Sequence, residues 1–381
     1  MARVFSAFLK RSCAQHNSHG RHACAPGVVR NLGYFVLGLF LFACGSPPPA
    51  LETVPEQGSV PPPAYVVVFV IHGDGGYLFH DPDGNDYRAD EEALAGAKRV
   101  AERNSQAEVF IFHQKRRRHF LLFFPRHDGE FYYYRNGRLL AQESYWRDKA
   151  QSRFDPEIDL YNRFRVEADF QAMRSFLYFG HEIPEVGGKR YDASYKKRAF
   201  TVDDLVDGMK RLTPDSTKFD LVVLSTCFNG TPHTISALSP YSRYIIASPG
   251  NLHLSYFDLS SFEALDAGLR EGDVAAFAKE CARQSFDRLI KDIQTEITVA
   301  VYDVDRVQGY VHSVDSVYDQ ALATLSEKAL TSIEHCDCGE DSVYVRPGMS
   351  EGVDVLFRPA RFGRSTHKQT HSGWECPKLP K

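Results

Sequence analysis

Tyr65-Val-Val-Val-Phe-Val-Ile71 is an unbroken apolar run with a β-branched majority. It constrains the fold more than any other segment. A strand with one wet face would alternate apolar and polar residues, so an uninterrupted run predicts a strand covered on both faces, as in a parallel sheet between helix layers. The following segments extend that reading. Asp90 to Arg103 is expected as a helix and Glu108 to His113 as a second buried strand, which completes a βαβ unit. A helix around Asp159 to Arg174 then leads into Ser175-Phe-Leu-Tyr-Phe-Gly180, a strand running directly into His181. Thr201 to Leu212 keeps apolar residues at helical spacing (Val202, Leu205, Val206, Met209, Leu212), with Thr201 and Asp204 spaced for an N-terminal capping box. Phe219-Asp-Leu-Val-Val-Leu-Ser-Thr226 is the next strand, and it runs into Cys227. The expected class is α/β with a mostly parallel central sheet flanked by helices.

The remaining elements are less regular. Phe120 to Phe124 and Phe131 to Tyr134 read as an antiparallel excursion, with Asn136-Gly137 as a hairpin turn. Tyr244 to Ala247 is a short strand, Ser260 to Leu269 and Asp273 to Asp292 are expected helices, and Ile297 to Tyr302 a strand. Past Glu327 the pattern weakens, and Val343-Tyr-Val and Val353 to Phe357 are only β-like. Pro61-Pro-Pro63 closes a Pro-rich stretch begun at Ser46-Pro-Pro-Pro49, and the folded part is expected from residue 64.

A crossover between two parallel strands brings both carboxyl ends to one edge of the sheet, and open α/β sheets carry their sites at that edge. His181 and Cys227 are therefore candidates for one cleft. Cys227 also stands shortly before Thr231-Pro232, an expected helix start, where partial positive charge would favour a thiolate. A thiol and an imidazole so placed suit acyl transfer: the sulfur attacks a carbonyl, backbone donors stabilise the oxyanion, and the histidine protonates the leaving amine. Cysteine is also among the most buried residue types, so on spacing alone a packing role for Cys227 stays open.

From Tyr65 to about Leu269 the order of elements resembles the clostripain-like cysteine peptidases of the caspase–haemoglobinase clan. Leu177-Tyr-Phe-Gly-His181 and Leu221-Val-Val-Leu-Ser-Thr-Cys227 fall where that family carries its catalytic histidine and cysteine, 46 positions apart. Tyr191-Asp-Ala-Ser194 and Phe200 to Leu205 resemble the intervening loop and helix start, and Tyr244-Ile-Ile-Ala-Ser-Pro249 resembles a strand lining the substrate cleft. The resemblance implies a caspase-haemoglobinase-like three-layer sandwich over residues 64–326, with 327–381 as a C-terminal extension. It implies a Cys227/His181 dyad, a protein or peptide substrate, and Glu182, Ser225, Thr226 and Ser248 at the oxyanion site and cleft. No catalytic cofactor or metal is implied. Three positions depart from the family pattern. Glu182 replaces a glycine after the histidine, Ser225 replaces an acid that selects Arg or Lys, and Pro249 replaces an acid after Ala-Ser. A non-catalytic binding module on the same fold is therefore the alternative, and no preference for basic residues carries over.

His72-Gly-Asp-Gly-Gly76 is a competing motif, because a strand followed by His-Gly resembles the catalytic histidine of the caspase-like clan. An acyl hydrolase using His72 with Cys227 is a third reading. The Gly-x-Ser-x-Gly elbow of α/β-hydrolases is absent around Cys227, where Ser225 and Asn229 stand instead of glycines. Asp74 and its glycines then read as a tight turn beside the cleft.

Residues 1–43 contain Arg3, Lys10, Arg11, Arg21 and Arg30 but no acid, and Asn31 to Ala43 is an apolar run short for a bilayer span. With Cys44 it resembles a bacterial lipoprotein signal. This implies a leader over 1–43, a lipid anchor at Cys44, a tether over 44–63, and a place in the cell envelope. A start at Val28 or Val29 would make that signal compact. Residues 44–381 hold 40 Lys and Arg against 49 Asp and Glu, a balance that gives no reason to expect nucleic-acid binding. In an oxidising compartment Cys376 is expected to pair with Cys336 or Cys338, rather than join His371 in a metal site. Lys115-Arg-Arg-Arg118 reads as a solvated loop and Cys281 as a core residue of a helix.

Overall fold

The computed structural model describes residues 62–76, 78–80, 86–120, 124–166, 172–213, 217–252, 257–268, 273–327 and 334–378. Cys44 and the leader lie outside these residues. The centre is a nine-stranded sheet. Its strands are β1 (Tyr65–His72), β2 (Ala107–Gln114), β3 (Gly129–Arg135), β4 (Arg138–Tyr145), β5 (Met173–Phe179), β6 (Phe219–Ser225), β7 (Ser242–Ala247), β8 (Ile297–Asp303) and β9 (Val353–Arg358). They lie in the order β9-β8-β7-β6-β5-β1-β2-β3-β4. The pairings of β2, β1, β5, β6 and β7 are parallel, and each side of the sheet is finished by two antiparallel strands. From β1 the chain goes first to one side, to β2, and later to the other, to β5. That reversal of strand order is where α/β sheets open a crevice, and His72 and His181 stand at it.

The uninterrupted apolar strands fill two cores. Along β1, Val66, Val68 and Val70 join Tyr161, Leu205, Met209 and Val307 on one face. Val67, Phe69 and Ile71 join Val100, Ala278 and Cys281 on the other. The first face is covered by helices α2 (Asp155–Phe164), α3 (Val202–Leu212), α4 (Pro232–Leu238) and α6 (Val304–Glu327), the second by α1 (Ala89–Arg103) and α5 (Val274–Asp292). The capping box of α3 is present, and of its apolar stripe Val202, Leu205, Met209 and Leu212 are buried and Val206 is half-buried. Asn136 and Gly137 both have positive φ (53° and 71°), the backbone that a tight β3–β4 hairpin demands.

Several expectations are corrected. The expected helix over Asp159 to Arg174 is α2, beginning at Asp155 with Pro156 in its first turn and ending at Phe164. Of the β-like run Phe120 to Phe124, residues 121–123 lie outside the described residues, and its ends belong to the antiparallel pair His119–Phe120 and Phe124–Pro125. The helix expected from Ser260 is a short 3-10 turn, Phe262–Ala264, followed by Leu265–Gly268. The 24-residue α6 was not anticipated at all. Val343-Tyr-Val is not a strand, whereas Val353–Arg358 joins the main sheet as its edge. A two-stranded ribbon, His335–Asp337 with Glu375–Pro377, is stapled by the Cys338–Cys376 disulfide. Cys336 is a free thiol.

Candidate active site

Strand register carries the geometry of the site. Phe179 pairs with Ser225 across β5 and β6, and the Gly180 N–H donates to the Ser225 carbonyl at 3.3 Å. His181 and Cys227 each stand two residues past that pair, on strands that parallel sheets space about 5 Å apart. Side chains alternate along a strand. Phe179, Leu177 and Val223 face the second core, and Cys227 packs against that same core. His72 follows Ile71 by one position, so it falls in register with Val66, Val68 and Val70 and turns to the opposite face. There its Nε2 lies 2.9 Å from Asp192 and its ring stacks on Tyr191.

The His-Gly-Asp-Gly-Gly turn acts on His181 from below. A methyl group on Gly75 would collide with His181 Cδ2 and Nε2, so the imidazole lies directly on this glycine. A hydrogen bond to the Gly75 backbone orients the ring. Burial, then the neighbouring His72, push the His181 imidazole down to about 4, with the Gly75 bond opposing them. His181 is therefore a neutral base at pH 7. His72 is lowered as well, chiefly by burial, against the pull of Asp192.

Asp192 anchors the loop between the two candidate residues. It accepts hydrogen bonds from Arg147, from Arg198 Nε at 2.7 Å and from His72. Asp74 is held by Arg147 at 3.1 Å and by the Ser194 hydroxyl at 2.7 Å. Burial alone would raise the Asp192 carboxyl, but His72, Arg147 and Arg198 hold it well below the usual range. His72, Asp74 and Asp192 offer atoms within 4.8 Å of one another. The two guanidinium groups already neutralise these carboxylates, so the set does not fit a cation. The adjoining cavity, lined by His72, Arg147, Tyr178, Tyr191 and Asp192, has a volume of about 10 Å³, room for one water.

The helix expected to assist the thiol is too far along the chain. α4 starts at Pro232, its first turn capped by Thr231, and Glu185 Oε1 accepts from both Thr231 and Thr234. A helix terminus acts only over its first turn, and here a carboxylate already sits at it. Cys227 instead donates its thiol hydrogen to Asn251 Oδ1 at 3.2 Å, a partner that sequence reasoning missed. Phe228, next in the chain, has φ 50°, rare for a bulky residue. Its ring is stacked on His335 at 4.5 Å and 8°.

The other predicted cleft residues fall around this turn. Glu182 turns its carboxylate toward the C-terminal ribbon, with Oε1 3.6 Å from His335 Nε2. Burial, then Glu185, raise it to about 7. Ser225 and Thr226 are fully buried, with hydroxyls that have no hydrogen-bond partner among the described residues. The Ser248 hydroxyl is 2.7 Å from the Thr298 carbonyl. The basic run Lys115 to Arg118 is a loop in which Arg116 and Arg118 are exposed, and Lys115 pairs with Glu130.

A mostly parallel sheet between two helix layers, with a thiol and an imidazole at adjacent strand ends, is the caspase-haemoglobinase-like architecture. Residues 182–350 match the model of the Clostripain family. That range contains Ser225, Cys227 and Ser248 and begins one residue after His181. Among solved structures, an inactive zymogen C11 protease from Parabacteroides distasonis shares the fold at a TM-score of 0.53 and 14% identity, over 83% of this chain and 92% of that one. A secreted C11 cysteine protease from Bacteroides thetaiotaomicron, solved with an irreversible peptide inhibitor, aligns at a TM-score of 0.45 and 10% identity, over 68% and 70% of the two chains. No curated protein matches the sequence.

Proposed function

We propose that this chain is a cysteine endopeptidase in which Cys227 is the nucleophile and His181 the general acid and base. The observation that carries the reading is the register that sets both residues two positions past the Phe179–Ser225 pair, at one edge of the sheet. The Cys227 thiol gives its proton to the neutral His181 imidazole and its sulfur attacks the peptide carbonyl. The histidine then passes that proton to the departing amine, and water hydrolyses the thioester. The N–H groups following the two strand ends, at Glu182 and Cys227, are the proposed oxyanion donors. Because Ser225 is neutral, the reading assigns no preference for Arg or Lys at the scissile bond. His72 is left out of the mechanism: its Nε2 is engaged by Asp192 on the far face.

We further propose a lipid anchor at Cys44 and a place in the cell envelope, supported by the leader and its lipobox-like end. Among the described residues no helix is long and apolar enough to cross a membrane. A second reading, a binding module without turnover, is favoured by Glu182 in the position where the family has glycine. The test is hydrolysis of a mixed peptide library by the folded chain. The peptidase reading predicts cleavage that falls at least a thousandfold in Cys227→Ala and His181→Ala. Cleavage unchanged in either variant would sink it, and no cleavage by the parent would favour the binding module.

A further inference from the structure

The loop after β7 is built to bring Asn251 to Cys227. Ser248 is buried, and its hydroxyl bonds to the Thr298 carbonyl at 2.7 Å and accepts the Gly250 N–H at 3.2 Å, which turns the chain back toward β6. Two backbone hydrogen bonds then join this loop to the nucleophile turn. Gly230 N–H donates to the Ser248 carbonyl and Phe228 N–H to the Gly250 carbonyl, both at 3.0 Å. The second bond is one residue from both Cys227 and Asn251, so the backbone brings the two residues side by side, with Sγ 3.2 Å from Oδ1.

We propose that Asn251 is a positioning residue that holds Cys227 as a neutral thiol while the cleft is empty. The inference rests on Cys227 being the nucleophile. A hydrogen bond accepted from the neutral form of a group disfavours its charged form, and Oδ1 is an acceptor only. Asn251 is exposed on the cleft side. An extended peptide entering there brings backbone N–H donors that compete for the same oxygen, and the thiol proton is then free to pass to His181. The titratable groups on neighbouring elements are His181 after β5, His72 at the end of β1, Glu182 and His335 beside Phe228, and Glu375 on the ribbon. None of these changes when Asn251 is replaced.

The experiment is the rate of Cys227 alkylation by iodoacetamide against pH, on the full chain with its disulfide intact, read by mass spectrometry of the Cys227 peptide. Asn251→Ala removes the acceptor. Its alkylation at pH 6 is expected to be about three- to tenfold faster than the parent's, with the midpoint moved to lower pH. Asn251→Asp places a charged acceptor there and is expected to slow alkylation and move the midpoint upward. Opposite signs separate this role from a merely structural one, which would move both variants alike. Equal rates, shifts of the same sign, or a Cys227 unmodified in all three folded proteins would overturn the inference. Failure of the parent to cleave peptides would count against the peptidase reading and leave this comparison standing.

Discussion

At the scale of single residues, two carboxyls beside the nucleophile turn are strongly perturbed. Glu375 is buried, and its carboxyl is pushed up to about 10 mainly by burial. Glu182 follows to about 7. The consequence for stability has a definite sign. An unfolded chain returns Glu375 to an ordinary value near 4.5, so its favourable contribution is fully present below that pH. It is lost as pH rises toward 10, by at most about 1.4 kcal/mol per pH unit. Glu375→Gln mimics the protonated form. It should melt at a higher temperature than the parent at pH 8, and the two should converge by pH 4. A variant less stable at both pH values would show that the charged carboxylate is the form the fold holds.

At the scale of elements, the turn after β1 supports rather than performs the chemistry. Gly75→Ala puts a methyl group where the His181 ring lies, and a displacement of about 1 Å in a catalytic group can cost 100-fold in rate. The expected result is a loss of kcat/KM of that order with little change in melting temperature. Unaltered turnover would mean that the ring has another support. His181 and Cys227 were legible in the sequence because each follows a buried strand, and a parallel crossover brings both strand ends to one edge of the sheet. α6 carries an equally regular helical stripe of buried residues, Val304, Val307, Tyr310, Val311, Val314 and Tyr318. Asn251 was not legible. Its place depends on two loop-to-loop backbone bonds, Gly230 to Ser248 and Phe228 to Gly250, which no local pattern encodes. Position misled in the case of α4, where Thr231-Pro232 was read as close enough to charge the thiol.

At the scale of the molecule, the C-terminal segment belongs to the site. β9 completes the sheet, and Tyr302 bonds the Gly373 carbonyl. The Glu375 N–H donates to the Gly230 carbonyl, while His335 stacks on Phe228. A disulfide 38 residues apart in sequence closes this segment; by chain entropy such a loop is worth about 3–4 kcal/mol. The chain thus reaches the nucleophile from three directions: the strand ends of β5 and β6, the loop after β7, and a ribbon near the C-terminus. The dyad is the central claim, and covalent labelling tests it most directly. A peptidyl acyloxymethyl ketone library should modify Cys227 in the parent and in His72→Ala but not in His181→Ala, with all three proteins shown to be folded. Labelling that survives His181→Ala and disappears in His72→Ala would contradict the account.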